Sequence, residues 1–207
     1  MEEAIKTFLR HLPRSFSYPY LEEHKDLYSL VEKILKTSLE DVIKQVPQNI
    51  IYPFLEKLSN DRDSEVRQAV AESLASLSPE AALPLLKKLS NDNDDYVRKA
   101  ITEALSSFPP ETAIPFLEKL SDDSKWEVRK AVVQSLTGFP HDEAFPLLRK
   151  LSSDLNKEVR EAVAQVLTSF PSEKSLHLLE KLYNDSCYEV RKAAAESLAS
   201  FPAEKTL

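Results

Sequence analysis

Five aspartates and five arginines recur in this sequence at one separation: Asp61 and Arg67, Asp92 and Arg98, Asp123 and Arg129, Asp154 and Arg160, and Asp185 and Arg191 each stand six residues apart. A carboxylate and a guanidinium so placed could share a catalytic role, or could form the planar, two-bond ion pair that holds one piece of structure to another. Repetition favours the second. Five copies at equal spacing suit a lattice contact, whereas an active site needs only one.

Other reactive groups are sparse. The lone cysteine, Cys187, can form no internal disulfide and no Cys-x-x-Cys pair, which points to a reducing compartment, the cytoplasm by default. It precedes a helix start, where a thiol is acidified, but no histidine neighbours it in sequence, and an incidental surface thiol is expected. His11, His24, His141 and His177 fall at unrelated phases and none belongs to a His-Glu-x-x-His set, so neither a metal nor any catalytic residue or cofactor is expected. A single glycine removes phosphate-cradling loops and dinucleotide fingerprints. The acidic N-terminus has no signal-peptide run, and nowhere do eighteen apolar residues follow one another. A net charge of −7 argues against general affinity for nucleic acid. Neither membrane nor nucleic acid is an expected partner.

The elements that must position the ion pairs follow from the same period. Val-Arg dipeptides at 66–67, 97–98, 128–129, 159–160 and 190–191 step by 31 residues. Leu55, Leu86, Leu117, Leu148 and Leu179 keep that step, as do Lys57, Lys88, Lys119, Lys150 and Lys181, and Pro53, Pro84, Pro115 and Pro146, with His177 in the fifth proline place. Within a unit, Pro79 to Leu89 has proline at its start and apolar residues at helical spacing, which predicts a first helix, A. A polar turn, Ser90 to Asp94, leads to helix B, Tyr96 to Phe108, which Pro109-Pro110 stops. Two helices of about three turns cannot bury their apolar stripes alone, so neighbouring pairs must stack. The expected fold is all-α, an α-solenoid of antiparallel helix pairs. Residues 1–46 lose the signature and are expected to form an atypical helical cap; 47–207 divide into repeats 47–77, 78–108, 109–139, 140–170 and 171–201 with a short tail. In the cap, Ser38 to Asp41 is expected to start a helix and the aromatic stretch Arg14 to Tyr20 to pack over the first repeat.

Proline in helix A, aspartate eight residues later and arginine six further, as at Pro84, Asp92 and Arg98, resembles HEAT repeats, in particular the short HEAT-like type of phycobilisome-lyase subunits and artificial HEAT-like scaffolds, over residues 47 to 202. The family's frequent Gly-Asp turn is replaced by Phe-Pro, at Phe108-Pro109, Phe139-Pro140, Phe170-Pro171 and Phe201-Pro202. The resemblance implies a HEAT-like superhelix in which the ten aspartates and arginines form a ladder between adjacent repeats, and a carboxylate just before helix B is also expected to cap its first turn. Deoxyhypusine hydroxylase, a HEAT-like enzyme, takes its iron ligands from His-Glu pairs, and no His-Glu pair occurs here.

In stacks of this kind helix B lines the concave side, and the columns that vary there are where a partner would be read. Across four such columns nine carboxylates face four lysines. The expected function is therefore a non-catalytic scaffold that binds a protein or peptide, basic in charge, through anchors Trp126, Tyr96 and Tyr188 with Lys99, Lys130, Glu103, Gln134 and Gln165 around them. Two alternatives stand beside it: a phycobilin lyase-like subunit or chromophore-protein chaperone, and an engineered repeat scaffold. Action as a monomer or as half of a heterodimer is expected.

Overall fold

The structure, a computed structural model, describes residues 48–170 and 173–201. The expected cap of residues 1–46, with its helix start at Ser38 and its aromatic stretch, and the tail from Pro202 lie outside the described residues. Ten α-helices and no strand occur among those described: α1 Gln48–Leu58, α2 Ser64–Ser73, α3 Pro79–Leu89, α4 Asp95–Leu105, α5 Pro110–Leu120, α6 Trp126–Ser135, α7 His141–Leu151, α8 Lys157–Val166, α9 Glu173–Tyr183 and α10 Tyr188–Ala199. The protein is all-α, of the α-solenoid class built from antiparallel helix pairs. It divides into two compact units, residues 1–104 and 105–207.

Odd-numbered helices are of type A. Two of them show how proline or serine favours a helix start: Ser78 Oγ accepts the Ala81 N–H at 3.4 Å with Pro79 following at the first helical position of α3, and Pro110 stands at that position in α5. Pro53, Pro84, Pro115 and Pro146 lie inside their helices and face solvent. Their missing N–H removes one backbone bond per helix.

Even-numbered helices are of type B. α2, α6 and α8 tighten into single 3₁₀ turns at Leu74–Ser76, Leu136–Gly138 and Leu167–Ser169. After each turn one apolar side chain, Leu77, Phe139 or Phe170, is driven into the core, its N–H on the carbonyl of the leucine three residues back. Proline follows each phenylalanine and forbids further helix. No described residue has a positive φ, so these ends need no glycine. At Gly138 itself an added Cβ would meet only the Ser106 carbonyl at 3.8 Å, an ordinary contact.

In the first unit α1 packs on α2 and α3, and α2 packs on α3. In the second, the B helices α6, α8 and α10 stack in sequence, with α5, α7 and α9 alongside. Each helix gives one apolar stripe to the interior. For α7 it is Ala144, Leu147, Leu148 and Leu151, and for α8 it is Val159, Ala162, Val163 and Val166. Leu136 and Leu148 have no exposed surface. Leu136→Ala and Leu148→Ala are each expected to cost about 2–5 kcal/mol, measured as a lower urea midpoint at unchanged slope; a loss below about 1 kcal/mol would mean that the repeats are not close-packed there.

Candidate functional site

The short segments between helices A and B carry most of the polar chemistry. In each of them the ladder aspartate accepts the N–H two residues on: Asp63 to Asp61 at 2.9 Å, Asp94 to Asp92 at 3.0 Å, Lys125 to Asp123 at 2.9 Å, Asn156 to Asp154 and Cys187 to Asp185 at 2.8 Å. That locks the turn. The helix cap is supplied by a different residue, since Asp63, Asp94 and Asn156 accept the Glu65, Tyr96 and Glu158 amides at 2.8–2.9 Å. Lys125 and Cys187 hold the same place without a side-chain cap. The expectation that the ladder aspartate caps helix B is thus corrected: it sits two residues too early to reach the first turn.

The arginine six residues on reaches back to this turn. Its Nη1 donates to the aspartate's backbone carbonyl, in Arg67 to Asp61 at 2.9 Å, Arg98 to Asp92 at 2.7 Å, Arg129 to Asp123 at 2.6 Å, and Arg160 to Asp154 and Arg191 to Asp185 at 2.7 Å. In Arg67, Arg129 and Arg160 the other edge of the guanidinium points to the next repeat. Arg67 takes both oxygens of Asp92 at 2.7 and 2.8 Å, Arg129 those of Asp154 at 2.6 and 2.8 Å, and Arg160 those of Asp185 at 2.7 and 2.9 Å. These pairs are mostly buried, with 7–15% of each side chain exposed.

Electrostatics agree with the geometry. Burial pushes the Asp92 carboxyl up, but the Arg67 hydrogen bonds, the Asp94 N–H and the charges of Arg67 and Arg98 outweigh it and hold it below the usual carboxylate range. Asp154 is held down in the same way by Arg129, the Asn156 N–H and the Arg129 and Arg160 charges. At Asp185 the Arg160 hydrogen bonds dominate over burial.

A second ladder runs the other way. Lys88 Nζ donates to Ser59 Oγ at 2.7 Å, Lys150 to Ser121 at 2.8 Å and Lys181 to Ser152 at 3.0 Å, each serine being in the preceding repeat. Lys150 also meets Asp122 at 2.6 Å. Burial lowers the Lys88 ammonium, partly offset by Glu56 and Asp92. The lysine column was visible as a repeat, but its role was missed, because a polar serine at the end of helix A reads as a cap and not as an acceptor for a distant residue.

The first residues of the B helices are Ser64, Asp95, Trp126, Lys157 and Tyr188. In the first unit Tyr96 is 65% exposed, and Lys99 lies 3.6 Å from Glu103 on the same helix. In the second, Tyr188 is also 65% exposed, Trp126 and Lys130 are half-buried, and Gln134 and Gln165 face solvent. Lys157 Nζ crosses to Glu189 Oε1 of the next repeat at 2.7 Å, while the Cys187 thiol donates to Glu189 Oε2 at 2.6 Å. The thiol and then Lys157 hold the Glu189 carboxyl down to about 2. Glu127, beside Trp126, has one carboxylate oxygen shut from solvent with no hydrogen-bond partner among the described residues.

Of the histidines, His11 and His24 lie outside the described residues. His141 stacks on Phe145 with ring centres 5.0 Å apart and meets Phe170 edge-on at 5.7 Å, and His177 is exposed near Glu180. No group of three His, Cys, Asp or Glu side chains among the described residues could hold a metal ion, and no described helix is long and apolar enough to cross a membrane.

The family profile described as HEAT repeats matches residues 51–137 and 115–199. The chain belongs to the HEAT-repeat family. All ten ladder residues of this HEAT-repeat chain, Asp61 to Arg191, fall within the matched spans. Curated proteins give no match. Similar solved structures include an engineered protein, with TM-score 0.52 and 23% identity over 97% of this chain and 96% of that one. A designed armadillo repeat protein in complex with the peptide (KR)4 has TM-score 0.53 and 22% identity over 97% and 99%. The complex of CpcE and CpcF of phycocyanin lyase from Nostoc sp. PCC7120 has TM-score 0.55 and 19% identity over 72% of this chain and 64% of that one. At these identities the likeness is one of fold.

Because Asp185 titrates lower folded than its unfolded value of about 3.9, its stabilisation is complete above that value and is lost as pH falls through the folded one. Asp185→Asn is expected to cost about 2–3 kcal/mol at neutral pH and to flatten the loss of stability below about pH 4. Urea unfolding across a pH series reads both; an unaltered acid limb would mean that this contact does not join the repeats.

Proposed function

We propose that this HEAT-repeat scaffold is non-catalytic and captures a protein or peptide of basic character on the exposed face of its B helices. The observation that carries the reading is the exposure of Tyr96 and Tyr188, each 65%, at the start of helices that bury Val97, Ala100, Ile101, Ala104 and Leu105 in α4 and Val190, Ala193 and Ala194 in α10. Large aromatic groups held in solvent on a rigid frame give a partner contact area at little entropic cost. In the first unit Tyr96 is accompanied by Lys99 and Glu103, and in the second Trp126 and Tyr188 by Lys130, Gln134 and Gln165. Carboxylates outnumber lysines on this face nine to four in the varying columns, which steers a cationic partner toward it. That a designed armadillo protein of similar fold was solved with (KR)4 is in keeping with this charge preference. Cytoplasmic location, and action as a monomer or as half of a heterodimer, belong to the same proposal. The likeness to the phycocyanin lyase complex and to engineered proteins is one of fold, and no described residue favours a bilin or a design origin over partner binding.

Fluorescein-labelled (KR)4 should bind, read by anisotropy, and an acidic peptide of equal length should not. Replacing Trp126, Tyr96 and Tyr188 together by alanine should weaken binding by at least about tenfold with helical circular dichroism intact. Equal affinity for the two peptides would overturn the reading.

A further inference from the structure

One cross-repeat ion pair serves as a template for an unfilled site. Lys157 is the first residue of α8 and Glu189 the second residue of α10, and the lysine's Nζ lies 2.7 Å from the glutamate's Oε1. One repeat earlier in the same unit the glutamate is retained: Glu158 is the second residue of α8, and α8 packs on α6 as α10 packs on α8. The first residue of α6, in the lysine's place, is Trp126. The separation is the same, 158 − 126 = 32 and 189 − 157 = 32. Glu158 therefore keeps the position of an acceptor for a lysine that the preceding repeat lacks at the head of its helix B, and its carboxylate makes no hydrogen bond or ion pair with any described residue. Trp126, half-buried, stands in its stead, and an indole face attracts an ammonium by its quadrupole more strongly than tyrosine or phenylalanine does. A second carboxylate oxygen without a partner, on Glu127, sits next to Trp126 in the chain.

We infer that Trp126 and Glu158 form a receptor for the side chain of a lysine carried by the protein or peptide partner, the ammonium resting on the indole and paired with Glu158 as Lys157 is paired with Glu189. This rests on the reading of the B-helix face as a partner surface and names one contact of that surface. It assigns distinct roles. Tyr188 contributes apolar area, Lys157 is already satisfied internally and takes no part, and Trp126 with Glu158 supplies, among the described residues, a place in the second unit where an outside cation completes a pattern the fold itself uses. A lysine suits this place because its single, compact charge on a flexible stem can copy what Lys157 does.

The chain has one tryptophan, so its emission reports on this site directly. Titration of the intact protein with octalysine should change Trp126 emission saturably, and octalysine acetylated on every side chain should not. Glu158→Gln should weaken octalysine at least about tenfold by anisotropy, while Glu118→Gln, which removes the same charge from the exposed surface of helix α5, should change it less than about twofold. Trp126→Lys rebuilds the internal pair of the following repeat; it should fold normally and lose octalysine binding. Octalysine binding with unaltered Trp126 emission and with equal losses in Glu158→Gln and Glu118→Gln would overturn the lysine receptor and leave the partner surface standing. Absence of binding by octalysine and (KR)4 alike would remove the partner surface and the receptor with it.

Discussion

Within each unit, successive repeats are joined by an arginine, Arg67, Arg129 or Arg160, whose two edges do different work. Nη1 ties the arginine to its own turn by a backbone carbonyl, and Nε with Nη2 holds both oxygens of an aspartate 25 residues on, as in Arg129 with Asp154. Guanidinium is the side chain that can do this, because its donors lie in one rigid plane and its charge survives burial. The aspartate in turn accepts the N–H that shapes its loop, so a distortion of one turn is felt at the next. Around this contact the apolar stripes close over each other. A two-helix repeat has too little interior to stand alone, and the ion pair fixes the register in which neighbouring stripes meet.

Such a frame frees its surface. Every B helix must supply the buried valine and alanine positions and the ladder arginine, but its first residue can be serine, aspartate, tryptophan, lysine or tyrosine without disturbing the stack. Variation is confined to a place where it alters chemistry and not fold. The contrast between Lys157, which pairs with Glu189, and Trp126, which leaves Glu158 unpaired, is the clearest case. One junction between repeats is closed by an ion pair and the junction before it stays open, by a single change of residue type.

Much of this was legible in the primary structure because a repeat states its own rules several times. The 31-residue step, the alternation of helix A and helix B and the proline stops all followed from it. Less legible were relations that cross between repeats in an unequal direction. Arg67 binds its own turn only through a carbonyl, which any residue has, and gives its fork to Asp92; the resemblance to HEAT repeats implied a ladder between repeats, but the six-residue spacing did not show its direction, arginine to the aspartate 25 residues on. The lysine-to-serine bonds were hidden for a similar reason: Ser59, Ser121 and Ser152 look like ordinary helix-end residues until Lys88, Lys150 and Lys181 are seen to reach them. Capping was misassigned to Asp92, where Asp94 does it, since two acidic residues in one short turn are equivalent in composition and differ only in reach.

By itself, then, the order of residues determined the period, the helix types and the burial stripes, because these depend on spacing along one chain. Tertiary structure alone decided which oxygen each arginine edge takes, which serine each lysine meets, and which of the varied residues at the heads of the B helices are used up internally. Those outcomes depend on the offset between stacked repeats, a distance in space that no spacing in sequence contains.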